Sequence, residues 1–137
     1  MTPSQSKGRV LICDDERGIR DILTRLVRLE GYEALEAADG LAALAAVREQ
    51  APDVLLLDIR MPWLDGIEVL QRVRVLAPTL PVIMVTTSLA MPDTGVALAS
   101  GVQGYLLKPF RNDDVIRSLR HAMNVRRNGG TTDGASR

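Results

Sequence analysis

The chain has 137 residues, enough for one domain with a real hydrophobic core. It is 46% hydrophobic yet holds only Tyr32, Trp63, Tyr105 and Phe110 as aromatics, so the core must be aliphatic; 17 basic and 17 acidic residues cancel, which removes any global field for nucleic acid or an anionic membrane. A single cysteine, Cys13, excludes an internal disulfide, and no apolar stretch reaches membrane-spanning length, so the expectation is a cytoplasmic domain with no membrane partner.

Residues 1–8 read as a flexible leader. Arg9 to Cys13 is an apolar, β-rich run that stops at Asp14-Asp15. From Glu16 to Glu30, Ile19, Ile22, Leu23, Leu26 and Leu29 recur at helical spacing, with Arg17, Arg20, Arg25 and Arg28 between them. Gly31 is a natural stop for that helix. Tyr32 to Ala37 alternates and predicts a less buried edge strand. Asp39 is placed to cap an alanine-rich helix from Gly40 to about Gln50. Val54-Leu55-Leu56-Leu57-Asp58 is continuously apolar up to its aspartate, as expected of a central parallel strand covered on both faces. The loop Met61 to Gly66 leads to a helix carrying Ile67, Val69, Leu70, Val73 and Leu76. Pro81 to Thr86 predicts a fourth buried strand. The segment Leu89 to Gly101 carries Pro92 and Gly95, so a helix there is short and marginal, expected to re-form or shift when the site is modified. Gly104 to Lys108 is the fifth strand. Asn112, followed by Asp113 and Asp114, opens the last helix, whose Val115, Ile116, Leu119, Ala122 and Met123 form one face. The domain is thus expected over 9–126, with 127–137 a disordered tail or linker.

Five β/α pairs predict one doubly wound parallel α/β domain. Right-handed crossovers carry every strand's C-terminal end to the same edge of the sheet, where such folds place their sites. Asp14, Asp15, Asp58, Thr86 and Lys108 all stand at those ends. Three clustered carboxylates repel one another unless a cation joins them. With no Cys/His ligand set, oxygen donors point to Mg2+, or Mn2+, rather than zinc. Lys108 supplies a point charge and Thr86 a hydroxyl for phosphoryl oxygens. A cis Lys108-Pro109 bond would aim the lysine into the crevice.

These residues spell a pattern. Val-Leu-Ile-Cys-Asp14-Asp15-Glu16, Leu-Leu-Leu-Asp58-Ile-Arg-Met-Pro62-Trp-Leu-Asp-Gly66, Val85-Thr86-Thr87 and Gly104-Tyr105-Leu-Leu-Lys108-Pro109-Phe110 together resemble the receiver domain of two-component response regulators, of the chemotaxis-regulator type. The resemblance covers roughly residues 9–125. It implies a flavodoxin-like, five-stranded parallel sheet of order 2-1-3-4-5 flanked by five helices. It implies Asp58 as phosphoacceptor and Asp15, Asp58 and the Arg60 carbonyl as direct ligands of magnesium, with Asp14 acting through a metal-bound water. Thr86 and Lys108 would hold phosphoryl oxygens. Thr86 and Tyr105 would form the switch to a face built from the fourth helix, fifth strand and fifth helix. Arg60 and Ser88, two residues beyond Asp58 and Thr86, would modulate the lifetime of the phosphoryl group.

The implied partners are a sensor histidine kinase or histidine phosphotransfer protein, and a downstream target or output domain, with a phosphorylation-dependent dimer compatible with the same face. No direct nucleic-acid binding is expected of the domain, nor any enzymatic turnover beyond its own phosphoryl transfer and autodephosphorylation. Trp63 reads as a loop anchor, with a partner contact as the other reading, and His121 as a solvated helix residue. An aspartate-nucleophile, magnesium-dependent phosphatase is a competing class, but Arg60 occupies the position where such enzymes carry their second aspartate. A flavin-binding protein of the same fold lacks its phosphate loop here, since Asp14-Asp15-Glu16 would repel a phosphate. A phosphorylation-independent docking receiver is disfavoured because all five chemical positions are intact.

Overall fold

The computed structural model describes residues 6–87 and 101–127. Five strands, β1 (Arg9–Cys13), β2 (Glu33–Ala37), β3 (Val54–Asp58), β4 (Val82–Thr86) and β5 (Gly104–Leu107), pair in parallel in the order β2-β1-β3-β4-β5. Among the described residues four helices accompany them: α1 (Arg17–Leu29), α2 (Gly40–Gln50), α3 (Gly66–Leu76) and α4 (Asn112–Arg127). The helix expected between Leu89 and Gly101, and with it Ser88, lies outside the described residues apart from Gly101, as do the first five residues of the leader and the tail beyond Arg127.

Strand alternation sorts the core into two layers. Leu11, Cys13, Leu55, Leu57, Val82 and Met84 face α2 and α3, where Leu44, Val47, Val69 and Leu70 meet them. Val10, Ile12, Val54, Leu56, Ile83, Val85 and Leu106 face α1 and α4, against Leu23, Val27, Val115 and Leu119. β3 and β4 are buried along their whole length, whereas the edge strand β2 exposes Glu33 and Glu36. Three residues apart, the two glutamates project to opposite faces of the strand, so this edge is partly open to solvent on both.

Local signals set the helix ends. Gly31, at φ 93°, closes α1 with its N–H on the Arg28 carbonyl, while the Tyr32 N–H reaches Val27. The Asp39 carboxylate accepts from the Ala42 N–H at 2.8 Å, and Asp65 does the same for Glu68 at 3.0 Å. α4 begins at Asn112, the residue expected to open it. The Arg111 carbonyl takes the Val115 N–H, so Asn112 is already helical, and Asp113 and Asp114 supply the first-turn charge. The chain is tied down before β1, because the Lys7 N–H donates to the Gly31 carbonyl at 3.0 Å. No helix among the described residues is long and apolar enough to cross a membrane.

Candidate functional site

The parallel sheet delivers one residue after another to the same edge. Asp14 follows β1, Asp58 ends β3, Thr86 ends β4, and Lys108 follows β5, its N–H bonded to the Thr86 carbonyl at 2.7 Å. Gly66 allows α3 to begin directly under this edge. A Cβ there would run into the Asp58 carbonyl oxygen and lie 2.6 Å from the Ile59 Cα, both backbone atoms with no room to yield.

Carboxylate oxygens of Asp14, Asp15 and Asp58 lie within 4.8 Å of one another. Asp14 and Asp58 are buried and Asp15 is exposed at the mouth. Each buried carboxylate is held by its own turn: Asp14 Oδ1 accepts from the Glu16 N–H at 2.9 Å, and Asp58 Oδ1 from the Arg60 N–H at 3.2 Å. Lys108 Nζ sits 3.0 Å from Asp14 Oδ2, 3.6 Å from Asp58 Oδ1 and 3.5 Å from Glu16 Oε1. The Lys108-Pro109 peptide bond is cis.

One ammonium thus serves several carboxylates, and the shortage of positive charge shows in Asp58. Burial first, and the Asp14 charge second, push its carboxyl up from 3.8 to about 7, against the pull of Lys108 and the Arg60 N–H. Burial pulls Lys108 down, but its hydrogen bond with Asp14 and the charges of Asp58, Asp14 and Glu16 outweigh it, so the ammonium titrates above its ordinary range. Beside them the Cys13 thiol is pushed up to about 12, mainly by burial and then by Asp14 and Asp58, which leaves it a core side chain. An oxygen-only pocket with surplus negative charge has the donor chemistry for a hard divalent cation.

Of the residues singled out in the sequence, Asp14, Asp15, Asp58 and Lys108 share this crevice, and the Arg60 backbone reaches it. Asp58 stands opposite Val85 in the sheet, so buried Thr86 lies one residue beyond it on the neighbouring strand. Tyr105 stands opposite Met84 and packs against the α2/α3 layer, the sheet face that strand alternation also gives Thr86. Tyr105 is half-buried, and burial raises its phenol. His121 is exposed. Trp63 corrects its expectation: at φ 66° it points out of the loop and is 92% exposed, so it anchors nothing within the domain. Two residues at the site had no role in it assigned from the sequence. Glu16 reaches Lys108, and Arg20 donates through Nη1 to the Asp14 carbonyl at 2.8 Å. For Glu16 the signal was its adjacency to the aspartate pair; for Arg20 it was a basic residue in the first turn of a helix that starts at the site.

The family model of the response regulator receiver domain matches residues 10–120. The probable transcriptional regulatory protein TcrX of Mycobacterium tuberculosis is 38% identical over 123 residues, covering 90% of this chain and 52% of that protein. The DNA-binding response regulator MtrA of Mycolicibacterium paratuberculosis is 35% identical over 114 residues, covering 83% of this chain and 50% of that protein. The chain spans about half the length of the curated relatives it matches. Among solved structures, a CheY-like receiver domain protein from Methanospirillum hungatei superposes with a TM-score of 0.85 at 29% identity, over 89% of this chain and 98% of that one. The chemotaxis protein CheY4 of Vibrio cholerae gives a TM-score of 0.79 at 32% identity, over 83% and 97%.

Proposed function

This chain belongs to the response regulator receiver domain family, and from that membership we infer that it is a phosphorylation-dependent signalling switch with Asp58 as its phosphoacceptor. One observation carries the reading: the Asp58 carboxylate is buried at a strand end with Lys108 Nζ 3.6 Å away and the oxygens of Asp14 and Asp15 within 4.8 Å. A cation and an acceptor are in place for one phosphoryl group.

Asp14, Asp15 and Asp58, with the Arg60 carbonyl, would hold Mg2+, or Mn2+. The ion would neutralise the carboxylates and the charge that gathers on the transferring group. Asp58 must be ionised to react, and the same neutralisation keeps it so at neutral pH. An Asp58 Oδ attacks phosphorus, the O–P bond forms as the N–P bond of a phosphohistidine breaks, and the histidine leaves with the electron pair. Lys108 turns from its carboxylate partners to a phosphoryl oxygen, and the Thr86 hydroxyl donates to another. These are tasks of alignment and charge rather than covalent assistance. Arg60, exposed beside the acceptor, and Ser88 would regulate access of water to the acyl phosphate.

The donor is a sensor histidine kinase or a histidine phosphotransfer protein in the cytoplasm. The output is a downstream protein or a joined domain that reads the face made by β5 and α4. Thr86 and Tyr105, on one sheet face, supply the route from phosphoryl group to that surface. Titration with Mg2+ and then beryllofluoride, followed by Trp63 fluorescence, tests the reading together with mass detection of a phosphoryl adduct from acetyl phosphate. Both responses should appear in the wild type and vanish in Asp58→Asn. A wild type with neither response refutes the assignment.

A further inference from the structure

We propose that Arg20 is a positioning residue for the cation site, acting through the Asp14 peptide and held in turn by Glu36. The inference rests on the reading of the crevice as a divalent-cation and phosphoryl site. Arg20 lies in the first turn of α1, and its side chain is only 15% exposed. Its guanidinium spans two acceptors: Nη1 donates to the Asp14 carbonyl at 2.8 Å, and Nε lies 3.4 Å from Glu36 Oε1 on β2. The other side of Asp14 is fixed as well, since its N–H bonds to the Ala37 carbonyl at 3.2 Å, one residue after Glu36. The β1–α1 turn is therefore strapped to the edge strand at both ends of one residue.

The consequence falls on Asp15. The Asp14 carbonyl and the Asp15 N–H belong to one rigid peptide plane. Fixing the direction of that carbonyl fixes where the Asp15 backbone starts, and so where its carboxylate enters the crevice. Asp15 needs such support because it is the exposed member of the three carboxylates, whereas Asp14 and Asp58 are held by burial and by their own turns. Only arginine has a planar fork that reaches a carbonyl and a carboxylate together; lysine brings a single point of charge.

The sign of the effect separates positioning from simple electrostatics. A cation close to a cation site opposes binding, so deleting Arg20 for its charge alone would tighten Mg2+. Loss of the strap would weaken it. Calorimetric titration of Mg2+ alone into the full chain should show binding about tenfold weaker in Arg20→Ala, the scale typical of groups that orient metal ligands. Arg20→Lys keeps the charge and removes the fork, so it should also weaken binding, and it serves should the alanine variant fail to fold. Thermal unfolding without metal supplies the second readout, because a purely structural tie would lower the midpoint and leave Mg2+ affinity as it was. Unchanged or tighter Mg2+ binding in a folded Arg20 variant overturns the proposal while leaving the crevice intact. No Mg2+ binding by the wild type overturns the reading of the crevice itself, and the proposal with it.

Discussion

β3 and β5 contribute to the same crevice but sit in opposite surroundings. β3 is central and buried at all five residues, and it ends in the carboxylate assigned the chemistry. β5 is a four-residue edge strand, with Leu107 exposed and Gly104 and Tyr105 half-buried; it carries Tyr105, the aromatic assigned to reporting, and leads into Lys108. The reacting group is fixed where movement would disrupt two core layers. The responding aromatic stands where a shift disturbs few contacts. A domain that must both align a phosphoryl group and change its surface gains from that division, because interiors are close-packed and edges open at lower cost.

The buried end of the comparison has the largest consequence, and it depends on pH. The Asp58 carboxyl titrates at about 7 in the folded protein against 3.8 ordinarily. Between about pH 4 and 7 folding therefore takes up a proton, and stability falls as pH rises through that window. A shift of this size is worth roughly 4 kcal/mol, at about 1.4 kcal/mol per unit. Urea unfolding of metal-free protein should show the wild type losing stability relative to Asp58→Asn from pH 4 to pH 8, with the gap reduced by Mg2+. Parallel stability profiles for the two proteins would mean that burial costs Asp58 little and would erase the contrast between the two strands.

Lys108 joins the two sides, so removing it should produce the next largest effect. Its ammonium titrates above its ordinary range, so its contribution to stability is fully present at pH 8 and is lost only when pH rises through that elevated value. Lys108→Met leaves Asp14 and Asp58 buried without their cation, a loss of about 3 kcal/mol for a broken buried pair. The loss should be smaller at pH 5, where Asp58 holds its proton, and Mg2+ should recover part of it at pH 8. Equal destabilisation at both values would show that Lys108 acts by packing rather than by charge.

The crevice was legible because each of its members ends an apolar run. A strand that stops at Asp14 or Asp58 announces both its direction and its terminal residue, and parallel topology does the rest. What escaped depended on rotation about an axis or on one backbone angle. Arg17, Arg20, Arg25 and Arg28 share one helix, and periodicity does not say which of them turns under toward β2. Only the seating of α1 against the sheet brings Arg20 to Asp14 and Glu36. Trp63 was misread for a similar reason. A large apolar ring in a loop usually finds cover, but a left-handed backbone turns this one to solvent.

The exposed end of the comparison predicts the smallest effect on stability and the most selective one on response. Tyr105 is half-buried against the α2/α3 layer, so Tyr105→Ala should cost about 1 kcal/mol, well below the 3–5 kcal/mol of a fully buried aromatic. Asp14, Asp15, Asp58 and Lys108 are held by one another and by the turns that follow β1 and β3. Phosphorylation from acetyl phosphate, followed by mass, should therefore remain within about twofold of wild type, the change expected of a group that makes no contact in the transition state. Hydrogen exchange should separate the variants. In the wild type, beryllofluoride should alter protection of the β5 amides, residues 104–107; in Tyr105→Ala that response should shrink although the phosphoryl mimic still binds. If β5 responds equally in both, Tyr105 is a packing residue, and the edge position of β5 then carries the signal without its aromatic.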